Sequence, residues 1–99
     1  MVQTITLPRV VVTRSAAREV VRDANPAAGD DDTIKVLARG VASSAQSFAD
    51  ELVQQLLSNG FHTAVLLGAP RQLMADVNAS ATRAGHLQVV TRNSDLVSS

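Results

Sequence analysis

"GVASSAQSFADELVQQLLSNG", residues 40–60, decides the fold. A run of small residues and serines gives way to a helical repeat. Phe48, Leu52, Val53, Leu56 and Leu57 recur at a spacing near 3.6 residues, with polar residues between them. Asn59-Gly60 ends the repeat, because Gly readily takes the left-handed conformation that closes many helices. On one side lies "IKVLAR", residues 34–39, which reads as a strand. On the other lies "FHTAVLL", residues 61–67, a nearly continuous apolar run that suits a central strand covered by other elements. The stretch is therefore the middle of a strand–helix–strand unit.

The same alternation continues outward. Before the unit, "TITLPRVVV" (residues 4–12) carries β-branched residues around Pro8, which cannot donate to a ladder and marks an edge or a break between short strands. Residues 10–13 read as a strand. Thr13 or Ser15 can cap a helix to about Ala24, with Ala17, Val20, Val21 and Ala24 at helical spacing. "NPAAGDDD", residues 25–32, is a loop by composition. After the unit, "GAP" turns the chain and Pro70 suits a first helical position. A helix over about 71–84 follows, with Leu73, Val77, Ala81 and Ala84 on one side and Gly85 as its stop. "LQVVTR", residues 87–92, is a last strand, and 92–99 reads as a tail that frays. The order β-α-β-α-β-α-β predicts an α/β fold: one domain over 1–99, with a mainly parallel or mixed sheet of about four strands and right-handed crossovers. In that arrangement 34–39 and 61–67 are neighbours, and Phe48, Leu52, Leu56, Val65 and Leu67 are the expected core. Ligands and partners of such sheets bind at the carboxyl ends of the strands, where Gly40–Ser47 would lie.

Composition narrows the function. A chain of 99 residues buries roughly 60–70% of its unfolded surface, enough for one core. Nine basic and nine acidic residues cancel, and phosphate neutralisation supplies most nucleic-acid affinity, so no nucleic-acid partner is expected. Phe48 and Phe61 are the only aromatics, which leaves almost no platform for stacking bases. With no cysteine there is no disulfide, no thiol nucleophile and no cysteine metal site. No apolar run approaches the ~18 residues of a membrane span, and the N-terminus lacks a signal-peptide pattern, so a cytoplasmic location is expected.

The chemistry-bearing residues point away from catalysis. Asp50 and Glu51 are adjacent on a helix and point about 100° apart, so they do not readily share a proton. They read as first-turn acids that complement the helix dipole, or as contacts for a partner. "GDDDT", residues 29–33, lacks the spaced ligands and closing Glu of a calcium loop. His62 and His86 have no supporting carboxylate or nucleophile at a recognisable spacing. Arg14, Arg18 and Arg22 form a stripe, read as a solvated face paired with Glu19 and Asp23, or as a phosphate-contacting face. "GVASSAQS" follows a strand and precedes a helix as a phosphate loop does, but it lacks the second glycine and the lysine. Ser44 and Ser47 read as helix caps, Ser47 with Asp50 or Glu51 in the manner of a capping box. Their alternative reading is as phosphoacceptors at the positive helix end. No cofactor is implied.

Three pieces resemble one family. "SFADEL", Ser47–Leu52, after a strand ending in Gly40-Val41, looks like the signature of STAS-like domains, relatives of the anti-sigma factor antagonists. "TRSAAREVV", residues 13–21, is similar to that family's Arg-Ser opening helix, and "LLGAPRQLMADV", residues 66–77, to its next strand–turn–helix. The chain departs from the family at Leu37-Ala38, where an Asp-Phe pair is frequent, and at Gly68, where Asn is common. The Asp-Ser pair whose serine is phosphorylated in the better-known antagonists falls at Ala45-Gln46. The resemblance implies a STAS-like sandwich and a non-enzymatic regulatory module. It also implies a protein partner such as a histidine-kinase-like ATPase of the anti-sigma type. The expected docking surface is Ser43, Ser44, Gln46, Ser47, Asp50 and Glu51, on the loop and first turns of the helix at 47–58. Two other functions fit the same edge: a small ligand- or nucleotide-binding protein, and an architectural subunit of a larger assembly.

Overall fold

The computed structural model describes residues 3–24 and 32–92. Its chain order is β1 (Gln3–Thr6), β2 (Val10–Val11), α1 (Arg14–Ala24), β3 (Thr33–Leu37), β4 (Ser43–Ser44), α2 (Gln46–Ser58), β5 (Thr63–Leu67), α3 (Arg71–Ala84) and β6 (Gln88–Arg92). β1, β3, β5 and β6 form a parallel four-stranded sheet in that spatial order, and β2 pairs with β4 in a separate parallel ribbon. β3 and β5 are neighbours as expected, with Thr33 opposite Thr63 and Leu37 opposite Leu67. The described residues form a single-domain α/β fold with three helices on a parallel sheet. The expected loop of 25–32, Asp32 excepted, and the expected tail from residue 93 lie outside the described residues.

Each crossover joins adjacent parallel strands, and right-handed connections place all such helices on one face. α2 accordingly packs between α1 and α3. Burial follows from this. Ile5, Ile34, Val36, Ala64 and Leu66 point to the helices and are buried, as are Phe48, Leu52, Val53 and Leu56 of α2 and Leu73 and Val77 of α3. The other sheet face carries Thr4, Thr6, Lys35, Leu37, Val65, Leu67 and Val90, all half-buried or exposed. Val65 and Leu67, expected in the core, therefore belong to the second face. β5 is apolar on both sides, so its composition does not say which side meets the helices. The side is set by the crossovers, and Ala64 and Leu66 occupy it.

Local chemistry explains the element boundaries. The first strand of the main sheet is Gln3–Thr6, ahead of Pro8, rather than 10–13. Leu7 still donates to the carbonyl of Leu37 at 2.9 Å, and Pro8, next in the alternation, faces the open side of this edge strand, where its missing amide costs no ladder bond. The chain breaks there, and only Val10–Val11 resume pairing, with the 43–44 segment. Thr13 caps α1: its Oγ1 accepts from the amide of Ala16 at 3.0 Å. Pro70 precedes α3 as its cap residue, one position before the first helical residue expected for it. α2 closes in a Schellman turn. Phe61 N–H donates to Leu56 and Gly60 N–H to Leu57, each at 3.0 Å, and Gly60 takes φ 90°.

Candidate functional site

The serine-rich stretch is pinned, and it does not cap the helix. Val10 lies opposite Ser43 and Val11 opposite Ser44. Ala42 and Ser43 donate to the carbonyl of Arg9 at 2.7 and 3.1 Å, and Ala45 donates to that of Val11 at 3.2 Å. This ribbon aims the chain into α2, which starts at Gln46 with extended Ala45 as its cap residue and no side-chain cap hydrogen bond. The caps read at Ser44 and Ser47 are thus corrected. Ser44 is held in β4, and Ser47 already lies within the first helical turn. Ser43, Gln46 and Ser47 are exposed and Ser44 is half-buried. Val10, opposite Ser43, and Val12 are 56% and 37% exposed, the two exposed large apolar side chains among the described residues.

Asp50 and Glu51 turn toward neighbouring helices. Asp50 Oδ1 accepts from Gln46 Nε2 at 3.0 Å, from Arg83 Nη2 at 2.8 Å and from the Ser80 hydroxyl. Arg14 Nη2 lies 3.9 Å from Asp50 Oδ2. The Ser80 hydrogen bond is the main influence holding the Asp50 carboxyl below its ordinary range, followed by Gln46. Partial desolvation opposes them, and the Arg83 and Arg14 charges add to the lowering. Glu51 Oε1 lies 3.5 Å from Arg14 Nη1 and 3.6 Å from Arg18 Nη1, while its Oε2 accepts from Gln55 at 2.8 Å. Their side chains are 24% and 13% exposed, so neither stands freely outward. The expected pairing of Arg14 and Arg18 with Glu19 and Asp23 is replaced by these bridges to α2.

Gln46 joins the same network across α2 and α3. Its Nε2 also donates to Ser80 Oγ at 2.9 Å and reaches the carbonyl of Asp76 at 3.3 Å. Asp76 is buried, accepts from Gln72 at 2.9 Å, and its Oδ2 is buried without a hydrogen-bond partner among the described residues. Asp76, Ser80 and Arg83 were not singled out from the sequence. The signal was the intrusion of Asp76 and Ser80, one turn apart, into the face that carries Val77 and Ala81.

Elsewhere, His62 Nδ1 lies 3.0 Å from Asp32 Oδ2, a carboxylate partner thirty residues away that spacing did not reveal. Both side chains are more than half exposed. Asp32, His62 and His86 line one shallow depression, yet no group of three or more metal-ligating side chains among the described residues is placed to hold an ion. Asp32 is the one aspartate of "GDDDT" within the described residues. At the carboxyl end of the sheet, Thr6, Leu7, Leu37, Arg39, Gly40 and Leu67 line a depression of about 310 Å³. None of Ser43, Ser44, Gln46 or Ser47 lines it. No helix of the described residues is long and apolar enough to cross a membrane. Compared with protein-family models, curated proteins and solved structures, the chain finds no match.

Proposed function

We propose that the chain is a non-enzymatic regulatory module. It docks a protein partner through the edge made by β2, β4 and the first turn of α2. The observation that carries this reading is the exposure of Val10, paired with Ser43, and of Val12, on the ribbon whose other strand leads into Gln46 and Ser47. Exposed apolar side chains held on a hydrogen-bonded ribbon and rimmed by small polar residues form a preordered surface that loses little entropy on binding. The resemblance of Ser47–Leu52 to the STAS-like signature supports a partner of the histidine-kinase-like ATPase type. Asp50, Glu51 and Gln46 serve this surface by positioning α2 against its neighbouring helices, and Ser43 and Ser47 supply its polar contacts. Ser47, exposed in the first turn, is the better placed of the two phosphoacceptor candidates. Phosphate there would sit at the positive helix end.

The native chain has no thiol, so one introduced cysteine is a unique label. Ser47→Cys and Ser58→Cys mark exposed sites at opposite ends of α2, about 16 Å apart at the helical rise. Each is labelled with a benzophenone and irradiated with a purified ATPase of the anti-sigma type. Crosslinking from Ser47→Cys alone, reduced when Val10→Ser is added, supports the reading. Equal crosslinking from both positions, or none from either, overturns it.

A further inference from the structure

A second surface stands on observations of its own. β1 is an edge strand of the main sheet, with β3 as its one neighbour among the described residues. Along a strand, successive residues point their backbone N–H and C=O to opposite sides. The amide of Leu7 is turned to β3, where it donates to Leu37. By that alternation Ile5 also faces β3, while Thr4 and Thr6 direct their amides and carbonyls away from the sheet. Both residues are exposed. Unpaired groups on an edge are a template for another strand.

Next to this edge runs a groove of about 610 Å³ between β1 and α1. Its apolar lining includes Ile5, Leu7, Val10, Ala16 and Val20. Its only charged lining groups among the described residues are Glu19 and Asp23, one turn apart on α1 and both exposed. Neither makes an ion pair or hydrogen bond among the described residues, since Arg14 and Arg18 are taken up by Glu51. From Ala16 to Ala24 the helix wall is about 12 Å long, the reach of roughly four extended residues.

We infer that this groove takes an extended basic peptide segment, which adds to β1 as a further strand. The backbone of the segment pairs with Thr4 and Thr6. Alternate side chains turn toward α1, where a Lys or Arg lays its aliphatic stem on Ala16 and Val20 and brings its charge to Glu19 and Asp23. An acidic peptide would meet two carboxylates that have no partner among the described residues. A second copy of the same edge would bring Glu19 and Asp23 of each chain to the same groove region, with no cation in its lining among the described residues.

The probe is acetyl-(Lys-Val)4-amide, with acetyl-(Glu-Val)4-amide as its control, titrated into the whole chain and followed by amide chemical shifts and hydrogen exchange. The expected result is saturable binding of the basic peptide with slowed exchange at the Thr4 and Thr6 amides. Glu19→Lys combined with Asp23→Lys should weaken it by about tenfold or more, with unchanged circular dichroism because both positions are exposed. Thr4→Pro removes one outward amide while leaving the β1–β3 ladder intact, and should also weaken binding. No saturable binding overturns the inference, as do equal affinity for both peptides and exchange at Thr4 and Thr6 that the peptide leaves unchanged. A dimer of the chain that protects Thr4 and Thr6 without peptide also overturns it. Val10 borders both surfaces, so Val10→Ser does not separate them; Ser47→Cys labelling reports on the first surface alone, and Glu19→Lys combined with Asp23→Lys on this groove alone.

Discussion

Asp50→Ala should lower the unfolding free energy by about 2–3 kcal/mol, and most of that loss should belong to Ser80 rather than Arg83. The Arg83 contact is short, at 2.8 Å, but the Arg83 side chain is 64% exposed. Such a pair behaves as a surface ion pair, worth about 0.2–1 kcal/mol. Arg14, half exposed and 3.9 Å away, adds a few tenths at most. Ser80 is different, because only 5% of its surface is exposed and its hydroxyl donates to a charged oxygen. Hydrogen bonds to charged groups contribute about 1.5–3 kcal/mol, and water does not readily replace a lost partner at a buried donor. Urea denaturation of Asp50→Ala, Ser80→Ala, Arg83→Ala and the two double variants separates the effects. The Asp50–Ser80 coupling should exceed 1 kcal/mol and the Asp50–Arg83 coupling should stay below it. The opposite ranking would refute this reasoning. The acid limb gives a second check. The folded carboxyl titrates below its unfolded value of about 3.9. Its contribution is therefore complete above that value and is lost as pH falls through the folded one. Asp50→Asn should lose less stability than the native chain between about pH 5 and pH 2, and parallel curves would sink the assignment.

Three further outcomes are expected. Leu52→Ala, at a side chain only 1% exposed between sheet and helices, should cost about 2–5 kcal/mol in chemical denaturation. Glu51→Lys should cost more than the ~0.5 kcal/mol of an ordinary surface change, because the new cation replaces the carboxylate that bridges Arg14 and Arg18; an unmoved midpoint would show those bridges to be idle. Gly68 has φ 68°, and an added Cβ would lie 3.2 Å from Arg39 Cβ. Gly68→Ala should therefore cost about 1–2 kcal/mol, with Gly68→Asn less damaging because Asn tolerates the left-handed region better; equal midpoints for Ala and Gly would refute it.

How far the fold could be read from residues depends on the range of the signal. Helix stripes and their stops are local. The repeat from Phe48 to Leu57 with Gly60, and that from Leu73 to Ala84 with Gly85, placed α2 and α3 to within about a residue. Pro8 marked the break correctly, but the valines after it attracted the strand assignment that belongs to Gln3–Thr6. β-branched content reports that a segment suits a strand without saying which partner it finds. Parity in β5 failed for a related reason. In "TAVLL" both faces are apolar, so only the placement of the crossovers distinguishes Ala64 and Leu66 from Val65 and Leu67.

The candidate site was less legible because its contacts join helices distant in sequence. Gln46 to Ser80 spans 34 residues and Asp50 to Arg83 spans 33, beyond any rule based on neighbours one turn apart. Read locally, the acids of α2 look like charges offered to a partner, and Ser47 looks like a cap. In the fold the acids hold α2 between α1 and α3, and the ribbon formed with Arg9 and Val11 orients the entry to the helix. This shifts the basis of the docking proposed for this edge. With Asp50, Glu51 and the Gln46 amide nitrogen engaged within the helix network, the exposed serines left at this edge are Ser43 and Ser47, with Val10 and Val12. A partner that recognises this edge therefore gains chiefly from apolar contact and shape. Its affinity should depend weakly on salt, whereas the basic peptide held by Glu19 and Asp23 should release as salt screens those charges. Salt dependence thus distinguishes which of the two surfaces any partner of this chain uses.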